Sequence, residues 1–257
     1  MPDPRQFELN EIAEELVRLR LGDARDDLRV QRYKRRAEAL VHSHPGKAHN
    51  ILGTIAAIRR DEVAMRDHFR IARLNDPWDP AVRVNFVSAL QEFACLSEAA
   101  REATANCADL PRNPELLRQA VEACVFAGRL REAATRLNSL DRFHMQRSVS
   151  GVDGLIRCAG FLERQGVEDA VTEERQKQAA RLLRSRDVSV PQVRIALEGN
   201  GDQTHVTLAL VLRRSETEVK SLQRLLGESD PGATVAPERV RVTFMTREAV
   251  ERIAAND

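Results

Sequence analysis

Apolar and small residues recur at a step of 34 positions through the middle of this chain. Pro77 and Pro111 stand 34 residues apart, and so do Ala99 and Ala133. Leu52, Phe86 and Ala120 form a run of three at the same step, and Leu90–Cys124 and Ala103–Leu137 keep it with apolar residues at both ends. One such coincidence decides nothing. Several in one register mean a repeated structural unit, and a period of this length has room for two helices and a turn. Such a pair cannot bury its apolar stripe alone, so successive pairs must stack.

The first unit runs from Gly46 to Asp79. Ile51, Leu52 and Ile55 mark its first helix, and Val63, Met65, Phe69 and Ala72 mark the buried stripe of its second. Asn75-Asp76-Pro77 closes it. The second unit starts at Pro80, with Val84, Phe86, Val87 and Leu90 followed by Ala99, Ala100 and Ala103, and it ends at Leu110-Pro111. The third starts at Pro114 and uses Leu116, Leu117, Ala120, Val121 and Cys124, then a turn at Gly128, then Ala133, Leu137 and Leu140. Small alanines let helices approach closely, and each proline resets the chain because it cannot continue a helix.

Residues 46–145 resemble tetratricopeptide repeats. Leu52-Gly53 matches the family's apolar-plus-small pair in the first helix, Phe69 and Ala72 match its packing pair in the second, and Pro77 matches its closing proline. The second unit keeps Ala99 and Pro111 but has Val87 at the small position. The third keeps Gly128 and Ala133 without a final proline. The resemblance implies a right-handed superhelix of helical hairpins with a concave groove lined by the first helix of each pair. The lining residues would be Asn50, Thr54, Asn85, Ser88, Gln91, Arg118 and Glu122. Where family members clamp a carboxylate with lysine and asparagine, this chain has Asn50 and Thr54, so the resemblance does not extend to that clamp.

Residues 1–45 read as two N-terminal helices packing on the array. The first carries Ile12, Leu16, Val17 and Leu19 among Glu11, Glu14 and Glu15, and Gly22 breaks it. The second runs from Asp23 to His44 and is dense in Arg25, Arg29, Arg32, Arg35 and Arg36. Asp23, Asp26, Asp27 and Glu38 share that helix, so it reads as a solvated face with internal ion pairs rather than as a nucleic-acid surface. Pro45-Gly46 ends it. After the third repeat a weaker fourth pair continues to residue 186. Its long helix from Glu168 to Arg186 is polar enough to cap the open end of an array, giving a repeat region of 46–186.

From residue 187 to 257 the period changes from 3.6 to 2, and the order of elements reads ββαβα. Val193, Ile195 and Leu197 alternate through Gln192–Glu198, and Gly199-Asn200-Gly201-Asp202 signals a hairpin. His205–Leu212 is nearly all apolar, which marks a central strand. Ser215-Glu216-Thr217-Glu218 opens a helix as a capping box. A loop with Pro231, Gly232 and Pro237 leads to a strand on Val240, Val242 and Phe244, and Thr246 caps a final helix. A module of this size must borrow core from its neighbour to be stable. The expected fold is mainly α: a tetratricopeptide-like array followed by a small α+β module.

The chain holds 40 Lys and Arg against 39 Asp and Glu, a net charge of +1 that demands neither nucleic acid nor an anionic membrane. Cys95, Cys107, Cys124 and Cys158 include no C-x-x-C and sit among apolar residues, so they read as packed thiols. The N-terminus lacks a signal-peptide pattern and no stretch is long and apolar enough for a span, which places the protein in the cytoplasm.

Phosphate-loop, dinucleotide, zinc-protease and nucleophile-elbow motifs are absent from the sequence. His42, His44 and His49 flank a Pro-Gly turn without supporting metal ligands, and Glu198 and His205 oppose each other across the hairpin as the one acid–base pairing the pattern offers. The reading expects no enzyme, no cofactor and no metal. It expects an adaptor or scaffold that binds another protein or peptide, with the C-terminal module as a second contact or a homo-oligomer interface. Its rivals are a regulatory or inhibitory subunit of a toxin- or nuclease-type effector and, behind that, an enzyme hidden in the C-terminal module.

Overall fold

The structure, a computed structural model, describes residues 4–20, 27–140, 151–228 and 239–254. The expected break at Gly22, the start of the Arg-rich helix with Arg25, and the loop with Pro231, Gly232 and Pro237 lie outside the described residues. Among those described, ten consecutive helices precede a three-stranded sheet and two further helices, a mainly α fold with a small α+β part. The helices pack in sequence-adjacent pairs, as a helical-repeat architecture requires. No described helix is long and apolar enough to cross a membrane. The chain divides into two compact units, residues 1–89 and 90–257.

The first unit holds α1 (Pro4–Arg20), α2 (Leu28–Ala39), α3 (Pro45–Ile58), α4 (Glu62–Asn75) and most of α5 (Pro80–Glu92). Leu9, Ile12, Leu16 and Leu19 of α1 share one core with Val30 and Ala37 of α2 and Ile51, Leu52 and Ile55 of α3. Burying each large aliphatic side chain contributes about 1.5–3 kcal/mol, which no exposed ion pair matches. The ion pairs of α2 run within it and to α1: Arg29 to Asp27, Lys34 to Glu38, and Arg36 to Glu8. Pro45 does not end α2, which stops five residues earlier at the Leu40 cap. It occupies the first turn of α3, where its missing N–H costs nothing. Asp61 caps α4 by accepting from the Ala64 amide at 3.0 Å.

The α3–α4 hairpin closes on Gly53, where a Cβ would come within 2.9 Å of the Phe69 ring. Residue 53 is therefore small because an aromatic ring occupies the space a side chain would need. Met65, Phe69 and Ala72 are buried as expected. Val63 is a correction: it is 75 % exposed, because residues 65, 69 and 72 define the inward face and 63 falls outside it.

The second unit contains α6 (Leu96–Asp109), α7 (Pro114–Ala127), α8 (Leu130–Leu140), α9 (Val152–Arg164) and α10 (Asp169–Ser185). Asn113 caps α7 with its side-chain oxygen, accepting from the amides of Glu115 and Leu116. Gly128 ends α7 with φ +83°, a left-handed conformation in which a Cβ would strike the Thr172 carbonyl at 2.8 Å. Helix α10 buries one face, polar residues included. Thr172, Gln176, Ala179, Ala180 and Leu183 are buried, and its polar groups satisfy neighbouring backbone: Thr172 Oγ1 donates to Gly128 O and Gln176 Nε2 to Phe126 O.

Strands β1 (Gln192–Glu198), β2 (His205–Leu212) and β3 (Val240–Thr246) form a sheet in the order β1-β2-β3. β1 pairs antiparallel with β2 through the hairpin, and β3 pairs parallel with it after the crossover helix α11 (Glu216–Glu228). Helix α12 (Arg247–Ala254) follows, its first turn capped by Thr246. Leu210, Leu212 and Phe244 share a core with Leu222 and Leu226 of α11 and with Ala179 and Leu183 of α10. The module thus borrows helical surface, as its size demands.

Candidate partner-binding site

The seven residues expected to line a groove fall in both units. In the first, Asn50 and Thr54 on α3 are each only 6 % exposed. Thr54 Oγ1 donates to the Asn50 carbonyl at 3.0 Å, and Asn85 Nδ2 on α5 donates to Asn50 Oδ1 at 3.1 Å. The Asn50–Asn85 bond joins α3 to α5, and the Thr54 bond stays within α3. Asn85 and Ser88 remain half-buried and reach the surface in part.

In the second unit Gln91, Arg118 and Glu122 are half-buried. Arg118 is held between Glu115 and Glu122, one turn either side on α7: its Nε donates to Glu115 at 3.0 Å, and its Nη1 reaches Glu122. Hydrogen bonding to Glu115 pushes the guanidinium pKa up, so its charge is permanent. Burial pushes the Glu122 carboxyl above its ordinary value despite Arg118. A ligand at this helix meets an Arg already neutralised within its own element and a carboxylate whose ionisation burial opposes.

Sequence reasoning missed a cleft of about 700 Å³ between α8, α9 and the start of α10. Ala134, Ala159 and Ala170 contribute small side chains, Ile156 adds an exposed apolar one, and Glu163 and Glu168 add acid. Asp169 caps α8 from a different helix, accepting from the amides of Arg131 at 2.9 Å and Glu132 at 2.8 Å. Burial raises its carboxyl above the ordinary value in spite of those amides. The 34-residue register contains no signal for this cleft, which depends on how the weaker fourth pair docks.

Glu198 and His205 do meet across the hairpin, with His205 Nε2 3.8 Å from Glu198 Oε2, beyond a hydrogen bond. The Glu198 carboxylate instead accepts from Thr207 Oγ1 at 2.8 Å, and His205 Nδ1 lies 3.0 Å from the Gln203 carbonyl. His49 does not join His42 and His44. It sits 2.9 Å, Nδ1 to Nδ1, from His68 on the other arm of the α3–α4 hairpin. Among the described residues no group of three or more His, Cys, Asp or Glu could hold a metal ion.

The four cysteines are buried and free, and desolvation pushes their thiols up where a shift is resolved: to about 11 for Cys107 and Cys158 and about 12 for Cys124. Thiols of this kind are poor nucleophiles at neutral pH.

No protein-family model matches the chain, and neither a curated protein nor a solved structure does.

Proposed function

We propose that this protein is an adaptor or scaffold of tetratricopeptide type, holding another protein on the surface of its helical hairpins. The observation that carries the reading is the packing of Gly53 against Phe69, the pair of positions the repeat resemblance assigns to hairpin closure. It supports the repeat register independently of the spacing that suggested it. Stacked hairpins present the same helix of each pair along one side, and partner recognition is the common use of such a surface. The polar, partly exposed Gln91 on α5 supplies a hydrogen-bonding group for such a partner.

A photoreactive residue placed at Gln91 of the full chain tests this in a lysate of the native cell. It is expected to cross-link another protein in far higher yield than the same residue at Thr217, an exposed position on α11. Equal, low yields at both positions count against the adaptor.

A further inference from the structure

The second unit has a smaller cavity, of about 240 Å³, where the start of α6 meets α10. Leu96, Ser97 and Glu98, the first residues of α6, line it, and no side chain caps that helix, although Cys95 holds the cap position. An uncapped helix N-terminus presents unpaired N–H groups and the positive end of the peptide dipole. Arg101 of α6 and Lys177, Arg181 and Arg184 of α10 add four cations to the same walls against the single acid Glu98. Lys177 pairs with Glu173 at 3.5 Å and Glu174 at 3.8 Å, and Arg181 pairs with Glu174 at 3.3 Å, whereas Arg101 has no ion pair among the described residues.

Gln176 also lines this cavity and is 0 % exposed. Its Nε2 donates to the Phe126 carbonyl at 3.1 Å, which fixes the orientation of the amide. Its Oε1 is buried without any donor. Buried amide oxygens are nearly always bonded, so this one calls for a ligand group that donates a proton. The surroundings call for negative charge. Carboxylate and sulfate supply the charge without the proton. A phosphate group supplies both, because a monoester holds its last proton up to about pH 6 and free phosphate holds its last proton throughout the neutral range.

We propose that this cavity binds a phosphate group in its singly protonated form, as free phosphate or as a phosphate monoester. The charged oxygens face the α6 N-terminus and Arg101, and the P–OH donates to Gln176 Oε1. The proposal does not rest on the adaptor reading.

Calorimetric titration of the full chain tests it, with inorganic phosphate, O-phosphoserine and sulfate at matched pH and ionic strength. Phosphate or phosphoserine is expected to saturate one site. Sulfate, short of one hydrogen bond, should bind about tenfold more weakly. Tighter binding of phosphoserine points to a phosphorylated protein ligand, and tighter binding of inorganic phosphate points to the free ion; either upholds the site. Arg101→Glu, at an exposed position, should abolish binding. Gln176→Met should erase the preference for phosphate over sulfate. If that buried substitution fails to fold, the sulfate comparison on the unaltered chain carries the same question. Absence of saturable binding, equal affinity for sulfate, or unchanged binding by Arg101→Glu overturns the proposal.

Discussion

Gly53 and Phe69 are in contact so close that a Cβ on the glycine would stand 2.9 Å from two carbons of the ring. The ring is 1 % exposed and cannot swing away. Gly53→Ala should gain about 1 kcal/mol in helix propensity and lose about 1–3 kcal/mol to overpacking, for a net loss. Denaturant unfolding of the full chain checks it. A more stable Gly53→Ala protein would mean the hairpin does not close on this pair.

Arg129 and Glu173 form a two-pronged pair between α7–α8 and α10, with both hydrogen bonds at 3.0 Å. Burial alone would raise the Glu173 carboxyl, but Arg129 outweighs it and holds the pKa below the ordinary 4.5. A depressed carboxyl pKa contributes stability that is complete above 4.5 and is lost as the pH falls through the folded-state value. Glu173→Gln should cost about 2 kcal/mol at neutral pH and flatten the acid limb of the stability curve. Thermal melts from pH 3 to 7 measure both effects.

His49 and His68 carry pKa values below 6.5, chiefly because burial disfavours their charged forms, with His49 adding a smaller push on His68. The unfolded chain takes up protons near pH 6.5 while the folded protein still resists, so stability should fall as the pH drops below that point. Proton NMR titration should place both imidazoles below the ordinary value. His68→Leu should weaken the dependence between about pH 6.5 and 5.

Burial predicts silence from the thiols. In the folded protein at pH 7.5 Cys107, Cys124 and Cys158 should react with a thiol reagent far more slowly than after unfolding, because their pKa values stand at about 11 to 12. Fast labelling of the native chain at any of them would show that its helix opens readily.

Sequence periodicity carried the backbone far. The strands at Gln192–Glu198 and His205–Leu212 and the caps at Ser215 and Thr246 lie where alternation and capping chemistry placed them. It carried individual faces less well. Val63 looked apolar and therefore buried, but its angle about the helix points it outward. Helix α10 reads as a polar helix, and its threonine and glutamine are turned inward to bond the carbonyls of Gly128 and Phe126. A polar residue reads as surface until the backbone group it serves is known, and that group lies 44 residues away for Thr172 and 50 for Gln176. The chemistry of the candidate groove positions was not legible in the sequence. Nothing in the spacing signalled that Asn50 would bond Asn85 or that Glu115 and Glu122 would neutralise Arg118.

The most direct test of the adaptor is capture of a stoichiometric protein partner from native lysate by the full chain and by surface variants that leave the core alone. The account predicts that one partner is retained by the unaltered protein and by Glu216→Lys on helix α11. It predicts that Ser88→Arg with Gln91→Arg on α5 loses that partner. A partner held equally by all three proteins, or no protein partner for the unaltered chain, would contradict it.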